Sequence, residues 1–262
     1  MKVVLFCGGL GLRMRDAENL PKPMVTLGTR PLLWHVMKYY AHFGHKDFIL
    51  CLGYRAEVIK NYFLTYNECL SNDFVLSGGA KNVELLSTDI QDWRITCIDA
   101  GIHSNIGQRL KAAEKFLADE PEFLANYSDG LTDLHLPDQL AHFRSSGKVA
   151  SFLCVRPNLS YHSVTLREGT SEVSDIHPID NGDVRVNGGY FAFRNEIFKV
   201  LRDGEELVEQ PFRRLIEQRQ LLGYAYDGFW ASMDTFKDRQ QLERLYASGV
   251  APWEVWKQPA RR

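Results

Sequence analysis

Residues Lys2 to Met24, KVVLFCGGLGLRMRDAENLPKPM, decide how this chain is read. A short β-branched run, KVVLFC, is ended at once by Gly8 and Gly9. The next regular pattern, PLLWHVMKYYAHFG, carries apolar residues at helical spacing and has Gly44 as its stop. The order is strand, glycine loop, helix. Working outward, DFILCLGY reads as a second buried strand, RAEVIKNYFLTY as a helix, WRITCID as a strand, IGQRLKAAEKFLAD as a helix and EFLANYSDG as a strand ending in a polar turn. Strands alternating with helices of this length imply an α/β fold, a mostly parallel sheet covered by helices on both faces.

After LPDQLAHFRSSG, one more helix, the pattern changes. VASFLCV, HSVTLRE, EVSDIHP and RVNGGYFAF are short strands with few helices between them, expected to join the same sheet as a small β-rich lobe. The tail returns to helix, strand, helix in VEQPFRRLIEQRQ, LLGYAYDGFWASMD and TFKDRQQLERLYASG. With no repeat, low-complexity tract or linker, residues 1–262 are expected to form a single domain. Its parts are a core over about 1–147, added strands over about 148–230, and a C-terminal helix and tail over 231–262.

Composition narrows the function. A chain of 262 residues buries about three quarters of its unfolded surface, so a self-sufficient core is expected. Its 31 basic and 33 acidic residues are spread without long blocks and give a formal charge of −2, which leaves no electrostatic footprint for nucleic acid. The five cysteines lack C-x-x-C spacing, and Cys7, Cys51, Cys97 and Cys154 sit in apolar strand-like runs, as reduced thiols in a cytoplasmic protein would. No apolar stretch approaches the roughly 20 residues that cross a bilayer, and the first segment ends in glycines and arginines rather than a cleavage pattern. No membrane or nucleic-acid partner is therefore expected.

In parallel α/β sheets, ligands bind where the carboxyl ends of strands expose backbone N–H groups, and the opening loop stands in that place. It is not a Walker loop, because no G-x-x-x-x-G-K-[ST] can be laid over it. The dinucleotide pattern G-x-G-x-x-G fails because Met14 occupies the third glycine's place. What remains is Gly8, Gly9 and Gly11, which allow close backbone approach to an anion, then Arg13 and, nine residues on, Lys22 between Pro21 and Pro23. The glycines alone are equally a plain turn. Arg13 and the PKPM segment tip the reading to a polyphosphate, which needs both dipoles and point charges.

GGLGLRM, PKPM, NYSDG, VNGGYF and FWASMDT follow the order and rough spacing of the sugar-nucleotide pyrophosphorylases, a nucleotidyltransferase family. The chain resembles most closely the subgroup that transfers CMP to glucose 1-phosphate, and the likeness extends over nearly its whole length. It implies a Rossmann-like mixed sheet and attack by an acceptor phosphate on the α-phosphorus of a nucleoside triphosphate, with pyrophosphate leaving. It also implies Mg²⁺ held by Asp129 and Asp234, Arg13 on the β- and γ-phosphates, and Lys22 near the α-phosphate. Gly8, Gly9, Gly11 and Leu12 would hold the phosphates, and Gly107, Gln108, Arg109 and Ser128 would lie near base and phosphates. Read from local sequence alone, Asp129 also suits an Asx-turn, Asp234 an N-cap, and IGQRL an ordinary helix start.

Several positions depart from the family. Leu12 stands where threonine is usual. Ile176 and His177 lie where the family has glutamate and a lysine that grips the sugar phosphate, and Tyr161, His162 and Ser163 replace an aromatic-glycine pair. Asn187 and Gly188 are retained, with Arg185 upstream as a substitute cation. The expectation is CMP transfer from CTP to a phosphorylated or phosphonylated small molecule other than plain glucose 1-phosphate. The alternatives are a true CDP-glucose-forming enzyme and a catalytically silent nucleotide binder. A homo-oligomer is expected.

Overall fold

The computed structural model describes residues 1–9, 20–157, 161–179 and 184–258. Gly11, Leu12 and Arg13 fall outside the described residues. Seven strands make the central sheet: β1 (Lys2–Phe6), β2 (Asp47–Leu52), β3 (Arg94–Asp99), β4 (Glu122–Asn126), β5 (Ala150–Val155), β6 (Val186–Arg194) and β7 (Leu221–Tyr226). They lie in the order β7-β5-β6-β4-β1-β2-β3. Every neighbouring pair is parallel except those of β6, which runs against both β4 and β5.

The helices are α1 (Leu32–His42), α2 (Ala56–Leu64), α3 (Ile106–Ala113), α4 (Leu136–Ser146), α5 (Ile197–Val200), α6 (Gln210–Glu217) and α7 (Phe236–Ala247). They explain why β1 is apolar without a break. Val3, Leu5 and Cys7 point to one face, packed with residues of α1, α4 and α7. Val4 and Phe6 point to the other, packed with residues of α3, α5 and α6. Alternate side chains of one strand thus feed two cores.

Three differences from the sequence reading have physical causes. First, VASFLCV and RVNGGYFAF join the central sheet as expected, but HSVTLRE and EVSDIHP pair only with each other, as the hairpin His162–Leu166 with Val173–Pro178. Second, LLGYAYDGFWASMD is two strands, since after β7 the chain leaves the sheet and residues Trp230–Ser232 pair with Gly130–Thr132. Third, a hairpin of Phe74–Ser77 and Asn82–Leu85 carries no signal in the sequence, because Val75, Leu76 and Val83 stay exposed and no polar alternation marks a buried face.

The C-terminal APWEVW segment seals the chain's own core. Trp253 is 1% exposed, and its indole N–H donates to Nδ1 of the buried His35, whose Nε2 lies 3.0 Å from the carbonyl of Leu27. Both ring nitrogens are satisfied by a neutral imidazole, and burial holds His35 down to about pKa 4.

Strand order fixes where a ligand can sit. From β1 the chain moves outward to β2 and β3, then returns to lay β4 on the other side of β1. The carboxyl ends of β1 and β4 therefore diverge around a crevice, the usual ligand position in open α/β sheets.

Candidate active site

The turn after β4 and the segment after β7 meet through a two-stranded ribbon. Gly130 pairs with Ser232, Leu131 with Ala231 and Thr132 with Trp230, and the Met233 N–H donates to the Asp129 carbonyl at 2.9 Å. This register places Asp129 and Asp234 at the same end of the ribbon. The Asx bond of the turn comes from Asn126, whose Oδ1 accepts the Ser128 N–H at 2.7 Å, and the N-cap of α7 is Thr235, in a capping box with Asp238. Neither local role suggested for the two aspartates is filled by them. Both carboxylates face one ammonium, with Lys22 Nζ 2.8 Å from Asp129 Oδ2 and 2.8 Å from Asp234 Oδ1.

Lys22 begins a short 3-10 turn, Lys22–Met24, entered from an extended Pro21 and carrying buried Pro23 and Met24. Its backbone is anchored while its side chain keeps its reach. Burial alone would lower the ammonium's pKa, but the two carboxylates outweigh it and hold Lys22 above its ordinary value. Burial pushes the Asp129 carboxyl up against the pull of Lys22.

Beside this cluster opens a cleft of about 350 Å³, bounded by Gly9, Lys22, Arg109, Tyr127, Asp129 and Glu206. Arg109, 5% exposed, lays its guanidinium over Gly8, where an added Cβ would meet Cζ and Nε at 3.0 Å. Its Nε has no hydrogen-bond partner among the described residues, and desolvation by burial lowers its pKa. Of the IGQRL segment, Arg109 reaches the cleft and its neighbours serve the fold. Gln108 completes a capping box with Asn105, and Gly107 is required because a Cβ there would come within 2.1 Å of the Glu205 carbonyl oxygen. Ser128 is fully buried with φ +67°, a left-handed conformation that costs a non-glycine residue about 1 kcal/mol. Its hydroxyl lies 3.4 Å from Cys7 Sγ, so it ties the turn after β4 to the end of β1 rather than facing a ligand. Burial raises the Cys7 thiol to about 12, and all five cysteines are unpaired.

The residues expected to hold the acceptor disperse. Asn187 donates to the Tyr127 hydroxyl at 3.1 Å and so adjoins the cleft through Tyr127, whereas the Gly188 carbonyl accepts the Trp230 indole N–H at 2.9 Å and ties β6 to the Trp230–Ser232 strand. Arg185 offers no spare cation. It grips Asp227 through both carboxylate oxygens and bonds the carbonyls of Cys154 and Tyr226, fastening the ends of β5 and β7. In the hairpin, His162 pairs with Pro178 and Ser163 with His177, so the two histidines lie on opposite faces and cannot line one pocket through that ribbon. His177 is half-buried, with Nδ1 3.2 Å from Asp175, while His162 and Tyr161 are exposed.

Sequence reasoning missed Glu206, which lines the cleft from the loop 201–209 between α5 and α6. Nothing in DGEELVEQ distinguishes it from a solvated acidic turn. Among the described residues, no three His, Cys, Asp or Glu side chains cluster as a metal site, and no helix is long and apolar enough to cross a membrane.

No protein-family model matches the chain. A UTP-bound UGPase from Acinetobacter baumannii shares the fold with a TM-score of 0.66 at 17% identity, over 94% of this chain and 92% of its own. The glucose-1-phosphate cytidylyltransferase of Salmonella typhimurium is 34% identical over 98% of this chain and 100% of its own length. That of Salmonella typhi is 33% identical over the same shares. The chain is thus a nucleotidyltransferase that acts on sugar phosphates, with the Rossmann-like mixed sheet of the sugar-nucleotide pyrophosphorylases. Within that class it belongs to the glucose-1-phosphate cytidylyltransferase family.

Proposed function

We propose that the chain transfers CMP from CTP to glucose 1-phosphate, forming CDP-glucose and pyrophosphate. The observation that carries the reading is the convergence of Asp129 and Asp234 on the single ammonium of Lys22 at the switch point of the sheet. An oxygen of the sugar phosphate attacks the α-phosphorus in line, the bond to the bridging β-phosphate oxygen breaks, and the electron pair leaves with pyrophosphate. No protein nucleophile is needed, so the residues position groups and neutralise charge.

From its anchored turn the Lys22 ammonium reaches the α-phosphate and stabilises the charge that develops there. Arg109 and the Gly8–Gly9 backbone hold the phosphates from the β1 side; the resemblance to the family adds Gly11, Leu12 and Arg13 to the phosphate contacts. Asn187, bonded to Tyr127 at the edge of the cleft, borders the acceptor side, with Gly188 next to it in the chain.

Asp129 and Asp234 suit Mg²⁺ by their donor set. Two carboxylates already gather round one cation, both supply hard oxygen atoms, and Mg²⁺ is usually held by one or two carboxylates with substrate phosphates and water completing the shell. When bound, the ion would supply charge neutralisation at the transferred phosphate.

A second reading keeps a modified sugar phosphate or a phosphonate as acceptor. It is favoured by the half-buried His177, whose imidazole is oriented by Asp175 on the same face of the hairpin. A pyrophosphate-release screen of CTP, UTP, dTTP, ATP and GTP against a panel of sugar phosphates and phosphonates separates the two. Turnover with CTP and glucose 1-phosphate supports the first. Turnover only with another acceptor, lost in His177→Ala, supports the second. The reading includes a cytoplasmic homo-oligomer, supported by unpaired cysteines and by apolar residues exposed on both hairpins, and a sizing measurement tests the assembly.

A further inference from the structure

A carboxylate in a cleft that receives a polyphosphate calls for an explanation, and Glu206 shares its cleft with Lys22, Arg109 and Asp129. Like charges repel, so a triphosphate binds through Lys22 and Arg109 and not through the Glu206 carboxylate, although Glu206 lies near enough to Arg109 to act on its charge. Glu206 is left to meet a part of the ligand other than phosphate.

The carboxylate is held in place. Its Oε2 accepts the Ile106 N–H at 3.3 Å and its Oε1 the Leu207 N–H at 3.0 Å. Asn105 Nδ2 donates to the Gly204 carbonyl at 2.9 Å, and Gly107 lets α3 press against the Glu205 carbonyl, so the loop is pinned to α3 at three points. By taking the Ile106 N–H, Glu206 also removes one of the free N–H groups at the start of α3 from anion binding. Each carboxylate oxygen keeps a further lone pair. Ile106, Val208 and Tyr127 lend apolar surface to the same cleft.

We infer that Glu206 sets specificity in this cleft by accepting a hydrogen bond from a neutral N–H or O–H donor of the bound ligand, and by repelling a ligand that presents an oxygen acceptor there. The inference rests on the nucleotidyl-transfer reading above. Two sources have this chemistry. One is the exocyclic amine of cytosine, a good donor to a carboxylate, which uracil replaces with a carbonyl oxygen. The other is a hydroxyl of the acceptor sugar.

The test compares wild type with Glu206→Gln, which removes the charge and keeps one acceptor oxygen, and with Glu206→Asp as a second variant that retracts the charge. Calorimetry gives dissociation constants for CTP and UTP, and for glucose 1-phosphate and its deoxy analogues. Steady-state kcat/KM gives the same ratios under turnover, and Tm checks the fold. A site built to take a ligand's donor typically discriminates by tenfold or well beyond. A fall of about tenfold or more in the CTP to UTP preference assigns the amine. A similar fall in preference for one hydroxyl assigns that hydroxyl. Ratios within twofold of wild type in both arms overturn the inference, as does a wild type that binds CTP and UTP alike and sugar phosphate and deoxy analogue alike. A wild type that releases no pyrophosphate with any pair breaks the functional reading instead, and the binding ratios still decide Glu206.

Discussion

At the carboxylate end of the cleft, three segments far apart in the chain brace one another. Lys22 comes from an anchored turn, Asp129 from the end of β4 and Asp234 from the far side of the Gly130–Thr132 ribbon, and each is held by partners that belong to another element. The hairpin of His162–Leu166 and Val173–Pro178 is built differently. Its strands bond to each other, and Val164, Leu166, Val173 and Ile176 are each at least half exposed. A two-stranded ribbon with no packed face is marginal by itself, so it positions side chains loosely. The difference teaches where positional precision resides in this molecule, and substitutions can break or sharpen it.

The largest effect is expected at the braced end. Lys22→Ala should lower kcat by about 10²–10³-fold, the usual loss when one preorganised charge or donor is removed, measured by pyrophosphate release with CTP and glucose 1-phosphate. An equal loss in His162→Ala would erase the contrast between the two regions.

Next comes the braced core beneath α1. His35 is neutral when folded, its pKa lowered by burial to about 4 from the ordinary 6.5. Between those values the unfolded chain binds more protons, so stability falls as pH drops from 6.5 toward 4, by up to about 3 kcal/mol. Urea unfolding across this range reads the slope, and His35→Gln should reduce it, leaving the share of His45, which burial also lowers to about 4.

The hairpin is expected to respond least. Ile176→Thr should change unfolding free energy in urea by less than about 0.5 kcal/mol, as exposed substitutions do. His162→Ala, on the exposed face, should leave kcat/KM for the acceptor within about twofold, because it touches neither cleft nor core. A tenfold loss there would show that the hairpin is braced after all.

How much of this was legible follows from the same contrast. The alternation of strands and helices, the two-faced burial of KVVLF and the stop at Gly44 are local patterns, and the sequence displays them. Lys22, Asp129 and Asp234 could be paired only through resemblance, since the ribbon register that unites them leaves no trace in either segment alone. The opposite faces of His162 and His177 depend on hairpin register, which the fourteen intervening positions do not reveal. Arg185 looked like a free cation because Asp227, its partner, lies 42 residues away. Glu206 was invisible for a related reason: its significance comes from the N–H of Ile106, 100 residues earlier.

The ribbon that couples Gly130–Thr132 to Trp230–Ser232 also sets the order in which the molecule becomes competent. Lys22 and Asp234 are 212 residues apart, so the contact that completes the charge cluster has one of the highest separations the chain allows. Contacts of that kind form late, since the loop between them must close first. During synthesis, β1, Lys22 and β4 emerge well before Asp234. The growing chain emits all seven strands of its sheet before it can finish the charge cluster, and a nascent product truncated ahead of Trp230 would lack Asp234, the carboxylate that shares Lys22 with Asp129.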